Sequence, residues 1–368
     1  MTVFSSPVDL RALTQEKLIR FVVELGQPAF RGKQLLPWLY KPGPITFADM
    51  TDLAKEFRAL LAQHARISSL VPSAVEQSRD GAVKFAFCLE DGRTIESVLI
   101  PEEDRNTLCL SSQVGCAMGC SFCLTGTMGF GRNLNVAEMV NQVCAVRDWM
   151  LERNMSPLTN LVFMGMGEPL ANLDRVLDAI SLFTEQRGLD FSNRRITVST
   201  CGLVPQMLRL GEESEVNLAI SLHAADDATR SRLMPVNRSY PLKTLIEAAR
   251  QYRQKRRKRV MFEYTLLAGI NDSDQDARAL ARLLHNVRCK INLLAVNPVA
   301  DSTFRSPDME RILRFQEILR QQGYTVFIRQ SRGSDISAAC GQLAGKTDTC
   351  RPALTLDNRT PSPACKTP

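Results

Sequence analysis

The sequence predicts an α/β protein, in which an open, partial barrel of parallel β/α units follows a small amino-terminal helical domain. Two patterns predict this fold. Helix-like apolar spacing dominates residues 12–61, and strand-like and helix-like segments alternate over residues 107–330. Such alternation is typical of parallel strands joined by helical crossovers. The alternating region contains about six units, fewer than the eight of a closed barrel, so we expect the barrel to stay open.

The amino-terminal domain, residues 1–70, is predicted to consist of short helices. Thr14 is placed as the N-cap of a helix over residues 15–25, and the segments FRGKQLLPWLY and FADMTDLAKEFRALL continue the helical spacing. The next segment has the pattern of β-strands. Its two halves, KFAFCLE and TIESVLI, are separated by the turn residues Asp91 and Gly92, so residues 71–101 are predicted to form a hairpin that links the two domains.

The barrel is predicted to span residues 102–335. Its strands are TLCLSS, NLVFMG, RITVST, VNLAISLH, VMFEYTLL, KINLLAVN and YTVFIRQ. Helices are predicted between them at residues 136–153, 173–186, 274–285 and 309–322. Residues 336–368 form a carboxy-terminal segment. From residue 346 this segment is polar and proline-rich, and we expect that tail to be disordered.

The composition is that of a globular protein. Hydrophobic residues make up 44% of the chain, and no apolar run approaches the roughly 20 residues that cross a bilayer. The first residues show no secretory signal, so the protein is expected in the cytoplasm, with no membrane partner. In that reducing compartment the eleven cysteines are more often free, metal-bound or catalytic than paired in structural disulfides. The formal charge of +7 permits a polyanionic partner.

Three cysteines follow the first barrel strand at close spacing. The segment CAMGCSFC places Cys116, Cys120 and Cys123 on one loop, where three thiolates can hold a four-iron cluster and leave one iron without a protein ligand. One alternative is zinc, which usually takes four ligands, but the three histidines lie away from this loop. Another is a chance cluster of buried thiols. The spacing resembles the radical S-adenosylmethionine superfamily, in which the open iron binds S-adenosylmethionine.

Small and polar residues follow four of the later strands. Because parallel β/α folds bind ligands at the carboxyl ends of their strands, these residues are candidates for S-adenosylmethionine binding. Taken singly, each is more often a loop cap or a turn residue, but four such sites at successive strand ends favour a binding site. In the superfamily that the triplet resembles, residues at these positions contact the cofactor. The candidates are Gly167, Glu168, Ser199, Ser221, Leu222, His223 and Asn297.

Longer motifs resemble one class within that superfamily. The segments CAMGCSFC and TGTMGFGRNL, then FRGKQLLPWLY, MTDLAKEFR and VFMGMGEPLAN, and the terminal SRGSDISAACGQL are similar to the RlmN/Cfr class of RNA methyltransferases. The resemblance covers nearly the whole chain. It implies a partial barrel of the radical S-adenosylmethionine type, one 4Fe-4S cluster, two molecules of S-adenosylmethionine per turnover and an amino-terminal domain that binds RNA.

The same resemblance implies three catalytic residues. Cys340 carries the methyl group as an S-methylcysteine intermediate, Glu96 is the proton acceptor, and Cys109 is the resolving thiol that forms a transient disulfide with Cys340. Taken singly, such cysteines are more often small buried hydrophobic residues, and a glutamate in a hairpin is usually solvated. The implied product is 2-methyladenosine in 23S ribosomal RNA, at the peptidyl transferase centre, and in tRNA, at the adenosine 3′ of the anticodon.

The sequence also leaves alternatives and gaps. A Cfr-like enzyme would methylate carbon 8 of the same ribosomal adenosine, and a zinc-containing RNA-binding protein would catalyse neither reaction. The basic segment RQYRQKRRKR, residues 250–259, either contacts RNA phosphates or forms a solvated helix face. We expect an electron donor such as flavodoxin and a monomeric protein, and the sequence indicates no role for Cys350 or Cys365.

Overall fold

The computed structural model describes residues 6–252, 259–297 and 302–345. Two predictions fall on other residues. The proline-rich tail, with Cys350 and Cys365, lies outside the described residues, and so does most of the basic segment, of which residues 250–252 and Arg259 are described. Every helix in the described ranges is too short or too polar to span a bilayer.

The amino-terminal region forms a helical unit, as predicted. Thr14 caps its first helix, because its hydroxyl accepts a hydrogen bond from the Lys17 N–H at 3.4 Å. Two short strands pair in parallel and bring the two ends of the unit together. The elements are β1 (Val8–Asp9), α1 (Gln15–Glu24), α2 (Phe30–Leu39), α3 (Lys55–His64) and β2 (Ala65–Arg66).

The predicted hairpin is present, with one strand more than expected. Its turn contains Gly92 at φ +77°, a conformation that favours glycine. The extra strand is mostly exposed and polar, so it lacks the apolar alternation by which strands are found in a sequence. All three strands are antiparallel and continue directly into the first barrel strand. They are β3 (Pro72–Gln77), β4 (Val83–Cys88) and β5 (Thr94–Glu102), and the barrel strand is β6 (Arg105–Cys109).

A loop insertion carrying the cysteine triplet follows β6. It contains β7 (Gln113–Gly115), α4 (Leu124–Thr127) and β8 (Phe130–Asn133), and its two strands pair antiparallel in a small sheet of their own. Because β7 and β8 are hydrogen-bonded to each other, the two ends of the triplet loop are held together. The sequence predicts the loop but not this framing hairpin.

Parallel strands and helices then alternate to the end of the described chain, as predicted. Together with β6, six later strands form the parallel part of one ten-stranded sheet, and the hairpin strands lie at one edge of that sheet. Within the described residues, the two outer strands of the sheet, β14 and β3, each pair on one side only, so the barrel is open. The elements are α5 (Val136–Glu152), β9 (Asn160–Phe163), α6 (Leu173–Phe183), β10 (Ile196–Thr200), α7 (Val204–Glu213), β11 (Asn217–Ser221), α8 (Asp227–Leu233), α9 (Leu242–Gln251), β12 (Val260–Leu266), α10 (Asp274–Leu283), β13 (Cys289–Ala295), α11 (Met309–Gln321) and β14 (Val326–Arg329).

The barrel strands bury different side chains on their two faces. On β12 the ring of Tyr264 lies 5.4 Å from that of Phe315 in α11, so this face packs against the helices. Because side chains alternate along a strand, Glu263 points to the inside of the barrel. There Asn292 Nδ2 of β13 donates a hydrogen bond to Glu263 Oε1 at 2.9 Å. The barrel interior therefore contains buried polar groups.

A buried arginine fastens the helical unit to the barrel. Arg11 is 4% exposed, and its Nε donates to the Leu39 carbonyl at 2.9 Å. Its Nη1 donates to the Ser68 carbonyl at 3.1 Å and to Asn141 Oδ1 of α5 at 3.0 Å. These bonds satisfy the buried guanidinium and fix the position of the helical unit against the first barrel helix.

Candidate active site

The triplet loop is held closed at its base by backbone contacts. Cys116 comes directly after β7, and its N–H donates to the Gly129 carbonyl at 2.9 Å. The chain passes so close here that a Cβ on Gly115 would lie 2.0 Å from the Gly129 oxygen. Gly115 also has φ +70°, so glycine is required on both counts. The backbone thus returns on itself within the predicted cluster loop.

The three triplet thiols lie close enough to affect one another. Burial raises the pKa of Cys116 to about 11, and negative charge on Glu168 and Cys123 raises it further. Burial also raises the pKa of Cys120, followed by the charges of Cys123 and Cys116. Three neighbouring thiolates repel one another unless a positively charged group lies between them. This donor set therefore fits a metal cluster.

The described residues contain no three His, Cys, Asp or Glu side chains arranged to hold a single metal ion. A single zinc ion needs every sulfur within about 2.3 Å of one centre. A four-iron cluster instead binds each thiolate at a different iron, so its ligands lie farther apart. The assignment of Cys116, Cys120 and Cys123 as cluster ligands stays a prediction.

The segment after β9 passes close to the base of the triplet loop. Gly167 has φ +98°, and a Cβ there would lie 2.5 Å from Gln113 Cβ. The next residue, Glu168, is buried: its Oε1 accepts from the Leu170 N–H at 3.0 Å, and its Oε2 accepts from the Cys201 N–H at 2.8 Å. Burial raises the pKa of this carboxyl. The side chains of Cys201 and Thr200 also hydrogen-bond to this carboxyl. Its role as an acceptor for a cofactor ammonium group stays a prediction.

Replacing Gly167 by alanine is expected to destabilise the protein more than the same change at Gly269. Both glycines have positive φ, but a Cβ at Gly269 meets no atom within 4 Å, whereas one at Gly167 overlaps Gln113. The strain common to both sites is of order 1 kcal/mol, and the overlap adds roughly 1–3 kcal/mol at Gly167. Urea unfolding of Gly167→Ala and Gly269→Ala measures the difference. Equal losses would show that the close approach at Gly167 is unimportant.

His223 lies at the end of β11 in a left-handed conformation, with φ 57°. Its Nδ1 accepts a hydrogen bond from the Thr265 N–H at 2.9 Å, and Asn271 Nδ2 donates to its carbonyl at 2.7 Å. Burial, followed by the nearby charge of Arg230, lowers the pKa of His223 to about 3. The ring is therefore neutral, and because Nδ1 is an acceptor, the proton is assigned to Nε2. Nε2 is then the donor available to a ligand.

The other predicted strand-end residues differ in exposure. Ser199 and Ser221 are partly exposed, whereas Leu222 is buried and its N–H donates to the Glu263 carbonyl at 2.9 Å. Asn297 donates from Nδ2 to the Cys340 carbonyl at 3.0 Å. The structure therefore connects the last predicted cofactor residue directly to the predicted methyl carrier.

The carboxy-terminal segment lies against the triplet loop. The Leu124 N–H donates to the Gly341 carbonyl at 2.7 Å, and the Thr125 hydroxyl donates to the Leu343 carbonyl at 2.6 Å. Both donors belong to α4, which begins directly after Cys123. Cys340 is consequently held beside the loop that carries the three triplet cysteines.

Cys340 and Cys109 also lie near each other, and both are free thiols. The Cys340 side chain is accessible to solvent, yet the surrounding protein raises its pKa to about 11, chiefly by desolvation and then through the charge of Glu263. Cys109 is buried at the end of β6, and its pKa is raised first by burial and then by the charge of Cys340. The structure thus brings together two thiols that are far apart in the sequence.

Glu96 is buried, with 4% of its surface exposed, so the expectation that a hairpin glutamate is solvated is wrong for this residue. Its Oε2 accepts from the Ala344 N–H at 2.9 Å, and its Oε1 lies 3.7 Å from Lys84 Nζ. Lys84 in turn donates to the Ile336 carbonyl at 2.6 Å. Glu96 and Lys84 therefore hold the two sides of the segment that carries Cys340.

Three charged residues of this region, Lys84, Arg230 and Glu263, are absent from the sequence-based candidates. Each is less than 9% exposed. Nothing in the sequence distinguishes Arg230 from Arg232 in the same helix, or Lys84 from other strand lysines. A charge in an otherwise apolar strand, as in VMFEYTLL, is the one signal that could have identified Glu263.

Glu263 is expected to make the stability of the protein depend on pH. Burial raises its pKa to about 7, against the hydrogen bond from Asn292 and the charge of Arg329. The folded-state pKa lies above the unfolded value. The contribution of neutral Glu263 to the free energy of unfolding is therefore fully present below about pH 4.5 and is lost as the pH rises through 7. Glu263→Gln should therefore gain roughly 2.5 kcal/mol in stability relative to the native protein between pH 5 and pH 8. Urea unfolding at both pH values measures it, and a pH-independent difference would contradict it.

Two family models match the chain. Residues 110–284 match the Radical SAM superfamily, and residues 8–67 match the Ribosomal RNA large subunit methyltransferase N-terminal domain. The first match contains the triplet loop and the strand ends from β9 to β12. The second contains most of the amino-terminal helical unit.

Whole-chain relatives show the same similarity. The chain is 59% identical over 343 residues to a dual-specificity RNA methyltransferase RlmN of Desulfotalea psychrophila, covering 92% of this chain and 95% of the relative. It is 53% identical to the RlmN of Geobacter sulfurreducens, covering 94% of each chain. The crystal structure of a radical SAM methyltransferase from Sphaerobacter thermophilus has a TM-score of 0.87 and 46% identity, and covers 92% of this chain and 100% of its own.

Proposed function

The chain belongs to the RlmN family of radical S-adenosylmethionine RNA methyltransferases, and from this premise we propose that it methylates carbon 2 of adenosine in 23S ribosomal RNA and in tRNA. The names of its relatives support an RNA substrate, and the amino-terminal family model supports ribosomal RNA; tRNA is what the resemblance to the family implies. The motifs are shared with Cfr-like enzymes, so the choice of carbon 2 rests on the high identity to RlmN relatives over most of the chain.

One arrangement carries this proposal: Cys340 is held between the triplet loop and Cys109. The hydrogen bonds from the Leu124 N–H and the Thr125 hydroxyl of α4 set Cys340 beside the loop, and the charge of Cys340 acts on Cys109. A methyl-carrying cysteine needs both neighbours, since one supplies the radical chemistry and the other releases the product. A zinc-containing RNA-binding protein would need neither thiol.

Cys116, Cys120 and Cys123 would hold one 4Fe-4S cluster. When bound, the cluster and two molecules of S-adenosylmethionine supply one methyl group and one adenosyl radical per turnover. The cofactor would lie against residues at the carboxyl ends of the strands, with His223 Nε2 as a donor and Gly167 allowing close approach. Those positions are Gly167, Glu168, Ser199, Ser221, Leu222, His223 and Asn297.

The residues around Cys340 then have separate roles. Cys340 carries the methyl group, and after loss of one hydrogen atom the methyl carbon bonds to carbon 2 of the adenine. Glu96 takes the proton from carbon 2, and one electron leaves the adduct; the oxidised cluster, when bound, would accept that electron. The sulfur of Cys109 then attacks the sulfur of Cys340 and breaks its bond to the methylene carbon, which takes up the thiol proton and becomes the methyl group. This frees the methylated base and leaves a Cys109–Cys340 disulfide that must be reduced before the next turnover.

The same proposal extends to partners. The adenine must leave its stack to reach Cys340, so the substrate is a structured RNA with an accessible adenosine. The amino-terminal helical unit, fastened to α5 through Arg11, would bind that RNA. We propose a cytoplasmic monomer that receives its electrons from a donor such as flavodoxin.

Anaerobic reconstitution and mass spectrometry test the proposal. The purified protein should contain about four iron atoms and absorb visible light, and the peptide carrying Cys340 should gain one methyl mass with S-adenosylmethionine. Nucleoside analysis of treated RNA should give 2-methyladenosine. Detection of 8-methyladenosine would indicate a Cfr-like enzyme, and a colourless protein containing zinc would overturn the proposal.

A further inference from the structure

A fully buried arginine lies behind the predicted cofactor site. Arg230 of α8 is 0% exposed, and its Nε donates to the Leu222 carbonyl at 3.0 Å. Its Nη2 donates to the Cys201 carbonyl at 2.7 Å and to the Ser221 carbonyl at 3.1 Å. Its Nη1 donates to Asn237 Oδ1 at 2.9 Å. The guanidinium therefore joins the ends of β10 and β11 through neutral acceptors.

The positive charge of Arg230 has no close counterion. No carboxylate of residues 6–252, 259–297 or 302–345 lies within ion-pair distance, 4.0 Å, of it. The Asp227 carboxylate lies beyond that distance, although its negative charge still raises the pKa of Arg230. Its Oδ1 accepts instead from Asn237 Nδ2 at 2.9 Å and from the Leu242 N–H at 2.9 Å. Burial lowers the pKa of Arg230 to about 10, so it keeps its charge near neutral pH.

The helix that carries Arg230 is attached to the triplet loop. The Ser121 N–H, between two of the triplet cysteines, donates to the Leu233 carbonyl of α8 at 3.0 Å. Cys120 packs against the small apolar cluster that contains Leu233 of that helix and Cys201, whose carbonyl accepts the hydrogen bond from Arg230 Nη2. The arginine is therefore a fixed positive charge behind one predicted cluster ligand.

Hydrogen bonding alone does not explain this arrangement. A neutral donor could bond two of these carbonyls, and burying an unpaired cation is costly. A positive charge in a low-dielectric interior, however, acts strongly on a neighbouring group that changes charge. An iron-sulfur cluster is such a group. When it gains one electron and no proton, its net charge becomes more negative by one unit.

We propose that Arg230 sets the reduction potential of the cluster on Cys116, Cys120 and Cys123, by stabilising its reduced form electrostatically. This inference rests on the proposed function, since it requires that cluster. A one-electron donor supplies the electron, and Arg230 makes its acceptance more favourable. Arg230 is a positioning residue for Ser221 and Leu222 as well, so the test must separate charge from geometry.

Potentiometric titration of the reconstituted native protein and its variants separates them. Arg230→Gln removes the charge but keeps a donor, and Arg230→Lys keeps the charge with fewer bonds. With dithionite and redox dyes, the reduced cluster is counted by electron paramagnetic resonance. The glutamine variant should show a ratio of reduced to oxidised cluster that is about tenfold lower at a fixed potential. This corresponds to a shift of the midpoint potential by about 59 mV in the negative direction, whereas the lysine variant should keep a midpoint near the native value.

A second variant keeps the inference testable if Arg230→Gln loses its fold. Asp227→Asn leaves the guanidinium in place, keeps an Oδ1 acceptor for Asn237 Nδ2 and the Leu242 N–H, and removes a negative charge that acts on Arg230. It should shift the potential in the positive direction. Equal potentials for native protein and Asp227→Asn, or equal shifts for Arg230→Gln and Arg230→Lys, would overturn the inference about Arg230 alone. A native protein that binds no cluster would overturn the proposed function as well.

Discussion

Replacing Cys109 by alanine is expected to trap the protein on its RNA as a covalent adduct. In the proposed reaction the methyl carbon joins adenine to the sulfur of Cys340, and a second sulfur must then attack Cys340 to release the base. Cys109 is the thiol placed for that step, because it is buried beside Cys340 at the end of β6. Product should fall roughly 10³-fold or more, with the loss confined to release.

Denaturing electrophoresis with labelled tRNA or a ribosomal RNA fragment measures the adduct. Cys289→Ala is the matched control, because Cys289 is also a buried free cysteine but lies at the start of β13, at the other end of the barrel. It should release product normally and form no adduct. Product from Cys109→Ala at the native rate would remove Cys109 from the mechanism, and loss of product without any adduct would place it before the bond to RNA forms.

The order of elements in this protein is predictable because it depends on local patterns. The spacing of apolar residues distinguishes helices from parallel strands along the chain, and neighbouring turn residues predict the turn at Gly92. The triplet is equally local, since Cys116, Cys120 and Cys123 lie within one short loop. The family comparisons confirm the superfamily and the RNA methyltransferase class that these motifs predict.

What the sequence does not predict depends on contacts between distant segments. From its place in a hairpin, Glu96 is expected to be exposed. It is buried because the carboxy-terminal segment covers it and the Ala344 N–H donates to its carboxylate. Cys109 and Cys340 are far apart in the sequence, and the hydrogen bonds that hold the segment of Cys340 are made with α4, Asn297 and Glu96, which are also distant along the chain. In the sequence Arg230 looks like a surface residue of a short helix. Its burial is not predictable locally, because its four hydrogen-bond acceptors come from three other segments of the chain.

Replacing Glu96 by glutamine is expected to stop RNA methylation while leaving the methylation of Cys340 intact. Glutamine keeps an acceptor for the Ala344 N–H, so the segment around Cys340 stays in place, but it cannot take a proton. General base catalysis typically contributes 10²–10⁴-fold, and a loss of about that size is expected in the rate of 2-methyladenosine formation. Nucleoside analysis measures the rate, and mass spectrometry of the Cys340 peptide shows the retained methyl group.

Glu76→Gln is the matched control for this change, because both carboxylates lie near the same lysine. Glu76 Oε1 is 3.0 Å from Lys84 Nζ, but its side chain is 51% exposed and lies on the edge strand β3. Removing its charge perturbs Lys84 without touching the segment that carries Cys340. If Glu76→Gln slows RNA methylation as much as Glu96→Gln does, the effect comes from Lys84 and Glu96 is not the base. A loss confined to Glu96→Gln, with Cys340 still methylated, assigns to Glu96 a proton-accepting role in the steps that follow methylation of the cysteine.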